Sequence, residues 1–313
     1  MRAALLLNPR AGTVLARPEL LAEIPAALRA AGLEVLEIGE DAGPDLEARL
    51  EAALALQPEL VVVGGGDGSI RTAAARLAGG TVALAILPLG TLNLLARDLG
   101  LPLEPEEAAA ALGNARIRQI DVGVVNGEVF LCQSVIGLPN RMGLHRERVR
   151  GRDGFAARWR VVVALLRALW RHPPMRLGLR PEGRPLRRVW TRAVSVVNNA
   201  YDEAPGQLFH RPRLDAGVLS WLVARNFDLW WAAKLLAAMA LGRWRRRPGL
   251  IAGEATSLDI LSRRSHLRVM NDGEAMLLRT PLRYSIRPRA LRVLAPPPAE
   301  APRQPVAEDA ACG

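Results

Sequence analysis

"LVVVGGGDGSIRTAAARL", residues 60 to 77, sets three consecutive glycines, an acid, a fourth glycine and a serine between an apolar run and an Ala/Leu/Arg run. The short apolar run reads as a buried strand and the later segment as a helix, so Gly64, Gly65, Gly66, Asp67, Gly68 and Ser69 fall on the turn between them. Glycines there admit positive φ and let backbone N–H groups approach an anion with no Cβ in the way. The N-terminus of the following helix adds unpaired donors and a partial positive charge. The stretch is expected to cradle phosphate. Asp67 lies inside that cradle, where a bare carboxylate repels phosphate unless a divalent cation lies between them, and Mg2+ takes carboxylate and phosphate oxygens together. The plain alternatives are a turn required only by strand-to-helix packing and a capping role for Asp67.

Working outward, "AALLL", "EVLEI", "ELVVV" and "TVALAILPLG" alternate with the helical patterns "RPELLAEIPAALRAAG", "PDLEARLEAALAL" and the segment after Ser69. Strands apolar throughout in a β-α rhythm predict a parallel sheet covered on both faces, with ligands at the C-terminal ends of its strands. Asn8-Pro9 ends the first strand at that edge. Thr91 follows a Pro-Leu-Gly turn after "VALAIL", which brings its hydroxyl to the edge that carries Ser69 unless it only caps the next helix. Asn93, polar in a Leu-rich segment, either fixes that loop or touches nucleotide.

Beyond residue 121 the texture changes. "DVGVVNGEVFLC" carries Asn126-Gly127 between two β-rich runs, a short-hairpin signal, and strand-like pieces recur at "RVWTRAVSVVN", "GVLSWLVA", "ATSLDILS", "HLRVM" and "AMLLR". Two helices are expected among them, "FAARWRVVVALLRALWRH" and "FDLWWAAKLLAAMALGRWRRR". The fold class is α/β plus β: a doubly wound parallel α/β nucleotide-binding domain over 1–121, then a mostly antiparallel, sandwich-like β domain with inserted helices over 122–296. The final strands can pack back toward the first domain. The Pro/Ala-rich tail 297–313 is expected to be disordered.

Composition narrows the partners. The 313 residues carry 42 Lys+Arg against 31 Asp+Glu, a formal charge of +11 that favours anionic partners. Lys234 is the only lysine, which excludes the phosphate-gripping lysine of GxxxxGK[ST] loops and of the protein-kinase strand. Ser69 stands where the GxGxxG dinucleotide pattern needs its third glycine. Cys132 and Cys312 lie far apart without metal-ligand spacing, as expected in a reducing cytoplasm. No run reaches the roughly 20 apolar residues that span a bilayer, so the protein reads as cytoplasmic, free or peripheral at the inner face of the membrane.

Four motifs in order resemble the diacylglycerol-kinase-type lipid kinases, the family of soluble bacterial lipid kinases and of sphingosine and ceramide kinases. The family's GGDGT is matched by Gly65-Gly66-Asp67-Gly68-Ser69 with serine for threonine, and its NPxSG by Asn8-Pro9-Arg10-Ala11-Gly12 with alanine for serine. Pro88-Leu89-Gly90-Thr91-Leu92-Asn93 meets PLGTxN, followed by the family-like "LLARDLGLP", and Asp272-Gly273-Glu274 meets DGE. The resemblance implies ATP with Mg2+, the nucleotide on Asn8, residues 64–69, Thr91 and Asn93, and the metal on Asp67. It makes Glu274 the general base that takes the acceptor hydroxyl's proton, with Asp272 orienting it or the metal. Taken alone, Glu274 reads as a solvated turn residue. The family's DDG, which holds a structural Mg2+, here reads Leu214-Asp215-Ala216-Gly217, so that metal would rest on Asp215 alone. The segment "NNAYDEAPGQ" also departs from the family's glycine-rich loop.

The acceptor implied is diacylglycerol or a related lipid alcohol. An NAD kinase has a similar GGDGT loop, but no NE-type motif follows the first loop here. A peripheral lipid-binding protein with weakened chemistry is the non-enzymatic alternative. Nucleic acid is not expected as a partner, because Arg146, Arg148, Arg150, Arg152 and the group Arg243, Arg245, Arg246 and Arg247 accompany no recognition module. The segment 227–247 is expected to dock on an anionic membrane through Phe227, Trp230, Trp231, Leu235, Leu236 and Met239, with Trp244 among its arginines at the headgroups and with Trp159 and Trp170 assisting. A buried helix with a solvated basic end is the alternative.

Overall fold

Strand β3 (Leu60–Gly65) is buried along its whole length, and so is β4 (Ala83–Pro88). In the computed structural model, which describes residues 1–137, 174–205, 210–225, 229–245 and 247–297, they lie parallel in the order β2-β1-β3-β4, with β1 at Arg2–Leu7 and β2 at Glu34–Glu37. Helices α1 (Gly12–Ala16), α2 (Leu20–Ala30), α3 (Leu46–Ala55), α4 (Asp67–Leu77), α5 (Leu94–Asp98) and α6 (Pro105–Ala111) complete the unit. Their apolar faces, among them Leu20, Ile24, Leu28, Leu50, Ala73 and Leu77, join the strands in one core. The two central strands, β3 and β4, are covered on both faces, which is why they are uniformly apolar, whereas the edge strand β2 keeps Glu34 and Glu37 exposed.

The parallel sheet does not stop at β4. Strand β16 (Leu282–Ala295) runs beside it, with Val293 opposite Leu84, and its first half pairs with β13 (Ser257–Ser262). Strand β5 (Arg116–Val125) follows β16 antiparallel from end to end, with a register shift between Arg287 and Leu291. One ten-stranded sheet therefore continues from the first core into the second, through β8 (Met175–Pro181) and β9 (Arg187–Thr191), with β6 (Glu128–Phe130) on β5. β16 was not read from sequence because Arg283, Arg287, Arg289, Arg292 and Pro288 interrupt its apolar pattern. The shift absorbs Pro288, which has no N–H for the ladder.

A second, antiparallel sheet has the order β12-β11-β10-β7-β14-β15. Its strands are β7 (Gln133–Ile136), β10 (Ala193–Asn198), β11 (Leu219–Ala224), β12 (Leu250–Ala255), β14 (His266–Asn271) and β15 (Glu274–Arg279). Val194, Val196, Trp221 and Val269 from it pack against Leu177, Leu179, Leu258, Ile260 and Tyr284 of the first sheet, as expected for a sandwich. The hairpin at Asn126-Gly127 forms, both residues at positive φ. The run "RVWTRAVSVVN", read as one piece, is two strands on opposite sheets, β9 and β10. They part at Arg192, where Thr191 Oγ1 donates to the carbonyls of Ala193 and Ala224. Helix α7 (Leu229–Ala240) lies within the second expected helical segment. The first, 155–172, lies outside the described residues, as do 298–313 of the tail.

Candidate functional site

The glycines of the opening stretch act otherwise than expected. None of Gly64, Gly65, Gly66 or Gly68 is at positive φ; what excludes side chains is close packing. A Cβ on Gly64 would strike Leu7 and Leu89, one on Gly65 would lie 2.7 Å from Ser69 Oγ, and one on Gly90 would lie 2.5 Å from Gly66 Cα. At Gly66 the nearest atom is Gly90 Cα at 3.4 Å, an ordinary contact distance, so among these glycines this position alone has room for a Cβ. α4 begins just after it with no side-chain cap on its N-cap residue, and a helix N-terminus carries a partial positive charge that suits an anion.

Three loops are tied into one rim at the strand ends. Asn8 donates its backbone N–H to Gly64 O (2.8 Å) and its amide to Ser69 Oγ (3.2 Å). Leu89 N–H donates to Gly65 O (3.1 Å). Asn93, in the left-handed region at φ 49, accepts from Gly90 N–H (2.9 Å) and donates to Pro88 O (3.2 Å) and Gly90 O (2.9 Å). Of the two roles left open for Asn93, loop fixation is the one these bonds perform. Asp67 Oδ1 accepts the N–H of Leu94, the first residue of α5, at 2.8 Å; the acid caps the neighbouring helix and clamps the two loops together. Thr91 is exposed on the rim and is not the cap of α5, whose N-cap is Asn93.

Glu274 reaches this rim from the second sheet. The β14–β15 turn places Asp272 and Gly273 at positive φ, the two-residue geometry that suits a hairpin's twist. Asp272 is buried, and its carboxylate accepts the N–H groups of Leu131 (2.6 Å), Cys132 (2.8 Å) and Gln133 (2.9 Å). Burial pushes this carboxyl above the ordinary aspartate value, against the three donors, which pull it down. Those bonds anchor the turn, and the turn delivers Glu274. Its Oε1 occupies the space that a Gly68 side chain would need, and its Oε2 pairs with Arg71 of α4. Residues 203 positions apart, Arg71 and Glu274, thus meet over the glycine-rich turn.

Behind the rim lies a buried polar joint whose residues were not singled out from sequence. Arg211, 1% exposed, donates from Nε (2.9 Å) and Nη2 (2.6 Å) to Asp98 Oδ2, and from Nη1 to Leu131 O (2.7 Å) and Asn198 O (2.8 Å). Asp121, also 1% exposed, accepts from Gly217 N–H (2.6 Å) and Arg289 N–H (2.7 Å), tying β5 to the 214–217 loop and to the β16 irregularity. Asp98 stands in the family-like "LLARDLGLP", which was the one available hint. Asp215 lies 3.5 Å from Arg213 and the Ala216 N–H is taken by Asn199. Among the described residues no group of three His, Cys, Asp or Glu side chains could hold a metal.

Helix α7 separates the expected docking residues. Trp230 is 70% exposed with Lys234 Nζ 4.8 Å over its ring, and Leu241 is 65% exposed. Met239 is buried, Leu235 is packed against the core, and Trp231 donates to Pro248 O (2.9 Å). Trp244 does not reach a headgroup layer: it is 2% exposed and donates to Asp202 O. Arg245 is ion-paired with Glu203 (2.6 Å) and Glu254 (2.9 Å). Phe227, Arg246, Trp159, Trp170 and the side chain of Leu236 lie outside the described residues. No helix among the described residues is long and apolar enough to cross a membrane.

An α/β unit with a glycine-rich turn, faced by a carboxylate from an antiparallel sandwich, is the two-domain kinase fold. A diacylglycerol kinase from Bacillus anthracis str. Sterne superposes with a TM-score of 0.72 over 95% of this chain and 97% of its own, at 23% identity. An NAD kinase from Archaeoglobus fulgidus, solved with ATP, gives 0.50 over 94% and 93%, at 14% identity. Residues 2–125 match the diacylglycerol kinase catalytic domain and residues 144–295 the YegS C-terminal NAD kinase beta sandwich-like domain. The chain belongs to the diacylglycerol kinase catalytic-domain family. Among its relatives, the "Probable lipid kinase YegS-like" of Pseudomonas aeruginosa is 44% identical over 119 residues, 37% of this chain and 39% of that protein. The "Diacylglycerol kinase" of Mycobacterium tuberculosis is 33% identical over 164 residues, 50% and 52% of the two. The matches therefore span between about two fifths and half of these relatives' lengths.

Proposed function

We propose that the protein is an ATP-dependent lipid kinase that transfers the γ-phosphoryl group to a lipid hydroxyl, of diacylglycerol or a related lipid alcohol. The observation that carries this reading is the Glu274 carboxylate, which lies over Gly68 and the start of α4, where a proton acceptor must lie if phosphates bind the turn. In this reading Gly64–Ser69 receive the phosphates, with Gly66 as the open position and the α4 N-terminus as anion site. Asn8, Thr91 and Asn93 shape the nucleotide rim, and Asp272 holds the turn that orients Glu274. The 1–121 unit supplies the nucleotide and 122–296 the lipid side.

Magnesium fits this donor set in one way. With Asp67 as the carboxylate of the glycine-rich segment and no cluster of three ligands among the described residues, the ion would take phosphate oxygens and water for the rest of its shell, as Mg2+ commonly does. It would supply charge neutralisation of the phosphates. A structural metal at Asp215 does not fit: the side chain lies beside Arg213, and the acid that reaches its loop, Asp121, is committed to backbone N–H groups. We assign the lipid-facing surface to the exposed side of α7, around Trp230 and Leu241, with an anionic membrane face as partner at the cytoplasmic side. Radiolabelled ATP supplied to a panel of lipid alcohols and to NAD, read by thin-layer separation, tests the reading. Label in a lipid alcohol is expected; label in NAD alone identifies an NAD kinase, and label in neither a lipid-binding protein.

A further inference from the structure

Arg71 belongs to none of the motifs that carry the family resemblance, yet it is the residue that holds Glu274. It stands on α4 three residues after Gly68, so the two share a helix face. Its side chain is 13% exposed, and a guanidinium offers its donors in a rigid planar fork. Nη2 pairs with Glu274 Oε2, and Nη1 lies 4.0 Å from Glu128 Oε2 on β6. One fixed cation thereby joins the helix that opens at the phosphate turn to two strands that follow residue 121, β6 and β15. The two oxygens of Glu274 become inequivalent: Oε2 is committed to Arg71, while Oε1 sits above Gly68 with no hydrogen bond among the described residues.

We propose that Arg71 is a positioning residue for phosphoryl transfer, anchoring Glu274 Oε2 so that Oε1 faces the acceptor hydroxyl above Gly68. This rests on the lipid-kinase reading. In the step, the hydroxyl O–H bond breaks and its proton goes to Glu274 Oε1. The alcohol oxygen forms a bond to the γ-phosphorus of ATP as the bond from that phosphorus to the bridging oxygen breaks, and ADP leaves. Arg71 exchanges no proton and need not touch the nucleotide. Without it Glu274, whose side chain is 47% exposed, is free to occupy other rotamers, and misplacement of a reacting group by about 1 Å costs on the order of 10²-fold.

The test compares Arg71→Ala, Arg71→Lys, Glu274→Gln and the double variant Arg71→Ala/Glu274→Gln with the wild type, reading turnover from radiolabelled ATP, KM for ATP and thermal protection by Mg-ATP. Arg71→Ala is expected to lower kcat by about 10- to 100-fold with KM for ATP and protection unchanged. Arg71→Lys should recover a large part of that loss, and Arg71→Ala should have no further effect in the Glu274→Gln background, where no carboxylate remains to be positioned. Loss of Mg-ATP protection in Arg71→Ala would make Arg71 a phosphate ligand and overturn the proposal. An equal drop in both backgrounds would overturn it too, as an effect that does not act through Glu274. If Arg71→Ala fails to fold, Arg71→Gln carries the same expectations. Wild-type turnover with additive variants defeats the Arg71 assignment alone, whereas a wild type that phosphorylates no alcohol defeats the lipid-kinase reading and this proposal with it.

Discussion

Replacing Arg211 by methionine removes the cation of the buried joint while filling much of its volume. Asp98, whose side chain is 5% exposed, then keeps a buried carboxylate with His210 Nδ1, 3.5 Å from Oδ1, as its remaining ionisable neighbour, and the carbonyls of Leu131 and Asn198 lose the donors at 2.7 and 2.8 Å. Breaking one side of a buried ion pair costs about 3–5 kcal/mol. An unfolding entropy of about 2.1 cal/mol/K per residue, scaled to this chain, is roughly 0.66 kcal/mol/K, so Tm should fall by about 5–8 °C. The double variant Asp98→Leu/Arg211→Met removes both charges and should recover much of the loss, because an apolar replacement of a whole buried pair is often close to neutral. Differential scanning calorimetry of the wild type, the Arg211→Met and Asp98→Leu variants and the double variant measures the cycle. A fall of less than about 2 °C in Arg211→Met, or a double variant that sums the two single losses, would refute the reasoning that this pair is the joint between α5 and the second half of the chain.

Other expectations follow from the same geometry. Mg-ATP should raise the Tm of the wild type, by about 2.7 kcal/mol of linkage at a hundredfold excess over Kd, and Gly66→Val should abolish that rise by filling the one open position of the turn; equal protection would remove the turn from nucleotide binding. Burial pushes the Cys132 thiol well above its ordinary value, so iodoacetamide at neutral pH should leave Cys132 unmodified in the native protein and label it in denaturant, as read by mass spectrometry of its peptide. Trp230→Glu with Leu241→Glu should weaken sedimentation with anionic vesicles while leaving Mg-ATP protection intact. Unchanged sedimentation would take α7 out of membrane docking.

The parallel half of the fold was legible because burial on both faces leaves an uninterrupted apolar signature, as in β3 and β4. The second half was less so. β16 carries four arginines and a proline yet joins the two cores, since its pairing with β5 and β13 is set by backbone partners rather than by side-chain pattern. At the site, the glycines were found but for a reason only partly right: their need for small size comes from Leu7, Leu89, Ser69, Gly90 and Glu274, contacts between distant segments that spacing cannot display. Arg71, Asp98, Asp121 and Arg211 carry no local signature, because an arginine or aspartate in sequence looks the same whether solvated or buried against a partner over a hundred residues away. Trp244 failed in the opposite sense: its arginine neighbours suggested an interface, while Arg245 is turned to Glu203 and Glu254 and the indole is enclosed.

The central claim is that Glu274, above Gly68, is the proton acceptor of a lipid kinase. Its most direct test is phosphate transfer from radiolabelled ATP to the best lipid alcohol of the panel by wild type and Glu274→Gln, with Mg-ATP protection measured on both. The account predicts a loss of about 10²- to 10⁴-fold in turnover with protection unchanged; turnover within a few-fold of wild type would contradict it and return Glu274 to the role of a solvated hairpin residue.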